Sequence, residues 1–265
     1  MSLGQLLRTC DSLMRVWIWH NGEDAETLAV VREYSNHPNV FAVCISGENK
    51  GLQEPTNWFW TASDGTFLSK VDDDCLLPIG WAQTLREAHE GIPDLGIVGC
   101  WRFYDEDLIP ELARRKVQEL RNGHRIMRHW HVQGSGYVMK REVIEDIGLL
   151  RQSESFTQYC TRVSARGWKV GWYFPFVHEE HMDDARSIFF SYKSEQDFRG
   201  RLPLSAIRHG VSSLEEWKAR SKWLARHLQE DTSNGKSWTG WRGLVRRLVR
   251  RLSGFLGYRE PWRRP

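Results

Sequence analysis

A chain of 265 residues with 40% hydrophobic and 27% charged side chains has an ordinary globular composition and is long enough to bury a core without staples. The net charge of +3 is uneven: nine Lys/Arg and a single acid lie between Lys236 and Pro265, so that tail carries +8 and the rest −5, a distribution that argues against a nucleic-acid-binding body. The five cysteines (Cys10, Cys44, Cys75, Cys100, Cys160) contain no pair at zinc or redox spacing and read as reduced thiols in a cytosolic protein, while neither a signal-peptide core nor an apolar run of about 18 residues is present.

Taken in chain order, Gly4 to Leu13 reads as a short helix and Arg15 to Trp19 as a strand ended by the turn His20-Asn21-Gly22-Glu23-Asp24. Ala25 to Tyr34 has helical spacing, Val40 to Ile45 is a strand of the buried type, and Ser46 to Leu52 is a loop. A helix over Glu54 to Ser63 is followed by a strand over Thr66 to Val71 that runs into Asp72-Asp73-Asp74. A helix from near Pro78 to Glu90 and a strand over Leu95 to Trp101 come next, then a charged excursion over 102–128 that contains a helix. Val132 to Lys140 reads as a strand with a glycine turn, Arg141 to Ile147 and Thr157 to Arg166 as helices stopped by Gly148 and Gly167, and Trp168 to Tyr173 as a strand. Residues 185–235 are polar and mostly helical. Alternating strands and helices predict a mainly parallel sheet covered on both faces, with ligands gathering at strand carboxyl ends, where the three aspartates fall.

Two carboxylates two residues apart at a strand end suit a hard divalent cation beside a diphosphate, although an isolated acidic triplet is also a common solvated turn. The surrounding blocks narrow the choice. RVWIWHNGEDAET, ENKGLQEPTNWFWTAS, FLSKVDDDCLLPIGW, HVQGSGYVMKREVIEDIGLL and CTRVSARGWKVGWYFPFVHEEH resemble, in order, five segments of the family 2 glycosyltransferases over about residues 5–185. The resemblance implies an α/β GT-A (Rossmann-like) fold, with a catalytic domain over 1–184, a helical extension over 185–235 and a basic amphipathic tail over 236–265. It further implies an inverting glycosyltransferase moving a sugar from a nucleotide-sugar donor to a glycan or lipid-linked acceptor, with Mn2+ or Mg2+ as cofactor.

Carried over residue by residue, the resemblance gives Asp72 to the ribose or metal, Asp74 to metal and diphosphate, and Asn49 and Gly51 to the nucleotide pocket, with Asp24 near the base. Gly134, Ser135 and Gly136 line the donor-sugar or acceptor cleft. His181, at the head of His-Met-Asp-Asp, is preferred to His178 as the imidazole ligand, which favours manganese over magnesium; His124, His129 and His131 read as loop residues. The family's base pair falls at Ser155 and Phe156, so the nearest carboxylate, Glu154, is the expected catalytic base. Two departures stand out: the family's first strand, with its nucleotide-binding loop, is missing before the first helix, and His20 replaces an aspartate.

In the tail, Trp241, Leu244, Val245, Leu248, Val249, Leu252, Phe255 and Leu256 recur at three- and four-residue spacing beside Arg242, Arg246, Arg247, Arg250 and Arg251. Such a helix suits an anionic membrane surface, giving an expected cytoplasmic location peripheral to the inner face, or else packs on the domain. The competing functional readings are a nucleotidyltransferase, which should carry a glycine-rich phosphate loop that the sequence does not show, and a non-catalytic sugar- or partner-binding GT-A relative.

Overall fold

The computed structural model describes residues 1–192, 194–241, 243, 245 and 248, apart from the side chains of Leu204 and Arg208. The chain begins with α1 (Ser2–Thr9), β1 (Val16–Asn21), α2 (Ala25–Tyr34), β2 (Val40–Ser46) and α3 (Gln53–Ala62). It continues through β3 (Phe67–Leu68), β4 (Cys75–Leu76), α4 (Trp81–His89), β5 (Leu95–Gly99), α5 (Pro110–Arg114), β6 (Val117–Glu119), β7 (Arg125–His129) and β8 (Tyr137–Lys140). Then follow α6 (Arg141–Ile147), α7 (Phe156–Arg166), β9 (Lys169–Tyr173), β10 (Glu180–His181), α8 (Glu195–Gly200), α9 (Leu204–Arg208) and α10 (Leu214–Glu230).

Local chemistry fixes many of these boundaries. Asp24 caps α2 by accepting from Thr27 N at 2.7 Å, and Ser155 and Gln158 form a reciprocal capping box on α7, satisfying amides that a helix start leaves without partners. Ser213 caps α10 through Glu216 N.

The central sheet has six strands in the order β3-β8-β5-β9-β7-β6. It is mixed rather than mainly parallel: only β5 and β9 run parallel within it, and its other pairings are antiparallel. The expectation of a mainly parallel sheet fails because residues 115–140 return as a β6–β7 hairpin and the strand β8, without the helical crossovers that parallel neighbours require. Alternation along the strands sends neighbours to opposite faces. Ile97, Met127 and Met139 face a core with Trp60 of α3, Val143 of α6, Tyr159 and Val163 of α7 and Leu228 of α10. Val98, Ile126 and Val138 face Trp81, Leu85 and Ala88 of α4, with Leu6 of α1 packed alongside. Helices therefore cover both faces, as the sequence predicts. Trp60, Trp81, Trp101 and Trp172 are fully buried, and Trp101 stacks on Phe176 with ring centroids 4.4 Å apart.

Strands β1 and β2 pair in parallel through the α2 crossover, but among the described residues they form a sheet of their own. Aromatic packing joins them to the body: Trp17 lies 5.3 Å from Trp58 and 6.0 Å from Phe59, and Trp19 lies 5.4 Å from Trp58. Helices α8, α9 and α10 follow, with a small core of Phe190, Phe198, Ala206, Val211 and Trp217. The last of them also enters the main core through Ala225 and Leu228. Of the amphipathic tail pattern, Trp241, Val245 and Leu248 are exposed, and the remainder lies outside the described residues. No helix among the described residues is long and apolar enough to cross a membrane.

Candidate active site

The expected strand over 66–71 shortens to Phe67–Leu68, and the acidic triplet lies in the turn that leads to β4. Strand β10 pairs antiparallel with β4, setting His181 directly opposite Cys75, and Met182 N donates to Asp74 O at 2.8 Å. The other side of this returning segment is held by Trp101, whose N donates to Val177 O at 2.8 Å and whose O accepts from Glu179 N at 2.9 Å. The acidic turn is thereby tied to a segment more than 100 residues away. Helix α1 secures it from below: Ser2 Oγ donates to Cys75 O at 2.7 Å and to Asp72 O at 3.1 Å.

The ladder brings His181 Nε2 to 3.6 Å from Asp74 Oδ2, and Cys75 Sγ donates to Asp74 Oδ1 at 3.3 Å. One ligand atom from each of Asp74, Cys75 and His181 lies within 4.8 Å of the others, a donor set of oxygen, sulfur and nitrogen that fits a divalent transition-metal ion. Burial, with the nearby Arg102 charge, lowers the His181 pKa against the opposing pull of Asp74 and Asp183, which keeps the imidazole in its ligating neutral form. Asp74 and His181 line a cavity of about 170 Å³ together with Arg102, Asp183, Asp184 and Trp217. Burial and the adjacent Asp74 raise the Asp183 pKa. A larger, more open hollow of about 580 Å³ runs along α3 past Lys50, Glu54 and Trp58, and contains none of these groups.

The remaining expected site residues fall into three groups. Asp72 is outside the cluster of possible metal ligands: Lys70 Nζ pairs with its carboxylate, and its N donates to Ser135 Oγ at 3.0 Å. Gly134, Ser135 and Gly136 lie beside this turn, with Gly136 N donating to Lys70 O at 2.9 Å. Asn49 and Gly51 lie beyond the end of β2, where Gly51 N donates to Asn49 Oδ1 at 2.8 Å. Asn21, which ends β1, donates to both Gly51 O and Asn49 Oδ1 and accepts from Lys50 N. Asp24 is exposed at the start of α2.

Glu154 does not line the cavity. Arg162 grips both its oxygens, at 2.7 and 2.8 Å, while Arg151 N donates to it at 2.9 Å. Burial alone would raise its pKa, but these hydrogen bonds hold it low, so the carboxylate stays ionised inside the Arg162 clasp. Ser155 and Phe156, where the family's base pair would fall, cap α7 and stack on Tyr137 at 4.3 Å.

Sequence reasoning missed Asn21, Cys75, Arg102, Asp183 and Glu179. Asn21 at a strand end and Asp183 two residues past His181 had positional signals; Arg102 and Glu179 had none, because only the fold brings them in. Glu179 is wholly buried, accepts from Gln133 Nε2 at 3.0 Å, and leaves Oε1 without a hydrogen-bond partner. Gly136 (φ +59°) makes room for it, since a Cβ there would fall 2.7 Å from Glu179 Cδ. Gly136→Ala should therefore cost roughly 2–4 kcal/mol through positive-φ strain and overpacking, read as a lowered urea midpoint. An unchanged midpoint would refute this account of the glycine.

The sequence matches the glycosyl transferase family 2 profile over residues 2–148. No curated protein matches it significantly. Among solved structures, GalNAc-T7 with UDP, GalNAc and Mn2+ is similar at 12% identity and a TM-score of 0.53, over 68% of this chain. The chain spans 40% of that protein's length. S. aureus TarS 1–349 is similar at 15% identity over 97% of this chain and 76% of that one, with TM-scores of 0.51 for its complex with UDP and 0.50 for its complex with UDP-GlcNAc. These likenesses match the mixed α/β architecture to the GT-A fold. The chain belongs to glycosyl transferase family 2.

Proposed function

We propose that this protein is a divalent-metal-dependent inverting glycosyltransferase, taking a sugar from a nucleoside-diphosphate donor to a hydroxyl of a glycan or lipid-linked acceptor. The observation that carries this reading is the meeting of Asp74 and His181 at one wall of a cavity, from distant segments that the β4–β10 ladder pairs. A cation held there supplies positive charge against the diphosphate as it departs. Asn49 and Gly51 shape the loop for the nucleoside, with Asp24 nearby, and Asp72, held by Lys70, faces the ribose. Gly134, Ser135 and Gly136 form the sugar side of the cleft, where Gly134 lets a ligand approach the backbone closely.

Inversion needs one carboxylate to take the acceptor proton. Glu154, the expectation from sequence, is held by Arg162, whereas Asp183 shares the cavity with Asp74 and is the better placed of the two. The basic amphipathic tail supports a peripheral position on an anionic membrane surface.

Titration calorimetry with UDP-GlcNAc, GDP-mannose and a dTDP-sugar, each with and without Mn2+, tests the reading. Metal-dependent binding of at least one donor, with slow metal-dependent release of its sugar, is expected. Failure of every donor to bind, with metal present, would instead favour a non-catalytic family relative.

A further inference from the structure

We infer that Cys75 Sγ is a direct ligand of the cation held by Asp74 and His181, so that the site takes thiophilic divalent ions such as Zn2+ and Co2+ in preference to Mg2+. The inference rests on the cation reading above and adds to it the identity of a third donor. Residues directly opposed in an antiparallel pair carry their side chains on the same face, about 4.5–5.5 Å apart at Cβ. Cys75 and His181 are such a pair. The Cys75 sulfur is turned toward the cluster, since it donates to Asp74 Oδ1 at 3.3 Å, and the residue is 1% exposed.

The donor set has consequences for ion choice. Magnesium demands oxygen ligands and keeps several waters, whereas a carboxylate, an imidazole and a thiolate are the ordinary ligands of zinc. The Asp74 carboxylate and a Cys75 thiolate together neutralise a dication in a partly dry site. Without the ion the Cys75 thiol donates to Asp74 Oδ1. On binding, the S–H bond breaks, a metal–sulfur bond forms and the proton leaves to solvent, with no change of oxidation state. A buried thiol of the core would do none of this, and Cys100, which is also buried, provides the internal control.

The test is optical. The full-length protein is titrated with Co2+ alone and with Co2+ plus UDP or GDP. A thiolate-to-cobalt charge-transfer band in the near ultraviolet is expected beside the weaker visible d–d bands. Cys75→Ser should remove the charge-transfer band and weaken Co2+ and Zn2+ binding by on the order of 10-fold or more while leaving Mg2+ binding unchanged. Cys100→Ser should keep the band. Visible bands without the charge-transfer band in the unmodified protein, or a band that survives Cys75→Ser, would overturn the sulfur ligand while leaving Asp74 and His181 as a cation site. No Co2+ binding under any of the three conditions would overturn the cation site itself.

Discussion

Asp74→Ala should lower metal-dependent sugar transfer by on the order of 10³-fold, because it removes the one carboxylate in contact with both other donors of the cluster and with it several kcal/mol of charge stabilisation. The loss should appear mainly in kcat/KM, and raising Mn2+ should recover only part of it. Asp183→Asn should keep metal and donor binding but lower kcat by about 10²–10⁴-fold, the usual weight of general-base catalysis. Glu154→Gln provides the contrast. It should loosen the Arg162 clasp and lower the unfolding midpoint while leaving kcat/KM within a few fold, because Glu154 is bound on both oxygens and lies outside the cavity lining. Initial-rate kinetics on the three variants, with Mn2+ titrated for each, distinguish the roles. Full activity in Asp74→Ala would defeat the assignment, and a collapse of kcat in Glu154→Gln alone would return the base to that residue.

Arg186→Met should destabilise the fold by about 3–5 kcal/mol, the cost of leaving buried carboxylates without their partner. The Arg186 guanidinium reaches Asp107 at 2.8 and 2.9 Å and Asp184 at 2.9 Å through two nitrogens, and lies 4.7 Å from the Tyr104 ring centre. Asp107 and Asp184 are 8% and 7% exposed, too little for water to take over their solvation. Arg186→Lys should recover only part of the loss, because an ammonium cannot reproduce the planar fork.

The pH dependence has a defined sign. Burial would raise the Asp184 carboxyl, but its hydrogen bonds from Arg186 outweigh that and hold its pKa below the ordinary value. Its contribution is therefore complete above about pH 4, the unfolded carboxyl pKa, and is lost as pH falls through the lower folded value. In Arg186→Met the unpaired carboxylate titrates upward instead, so the stability gap between variant and parent should narrow as the medium is acidified. Urea unfolding at neutral pH and near pH 4 measures both effects. Equal midpoints for the two proteins at neutral pH would show that the clasp is not structural. Because Asp184 also lines the cavity, activity should fall with stability in this variant.

Much of this architecture is legible in sequence where local rules suffice. The α2 and α7 helices are marked by their caps, β5 by an unbroken apolar run, β9 by the apolar residues that follow Lys169, and the acidic turn and His181 by motif order. The parts that failed depend on long-range pairing. The extended spacing of Thr66 to Val71 supports only Phe67 and Leu68 as strand, because β8 enters beside those two residues and the chain then turns into the acidic triplet. The mixed sheet follows from a hairpin inside a charged segment whose apolar periodicity is weak. Glu154 lies eight residues before Arg162, and that proximity is what joins the two in a salt bridge. Cysteine spacing cannot reveal that Cys75 sits opposite His181, which arrives on a strand more than 100 residues away.

The separation of β1 and β2 from the six-stranded sheet has a geometric consequence. Hydrogen-bonded strands are locked at about 4.8 Å, whatever their side chains. Among the described residues no such ladder ties β1 to the six-stranded sheet, and β1 instead rests on α3 through the rings of Trp17, Trp58 and Phe59. Trimming one of those indoles should therefore loosen the seat of β1 and β2 on the body while leaving every ladder hydrogen bond in place.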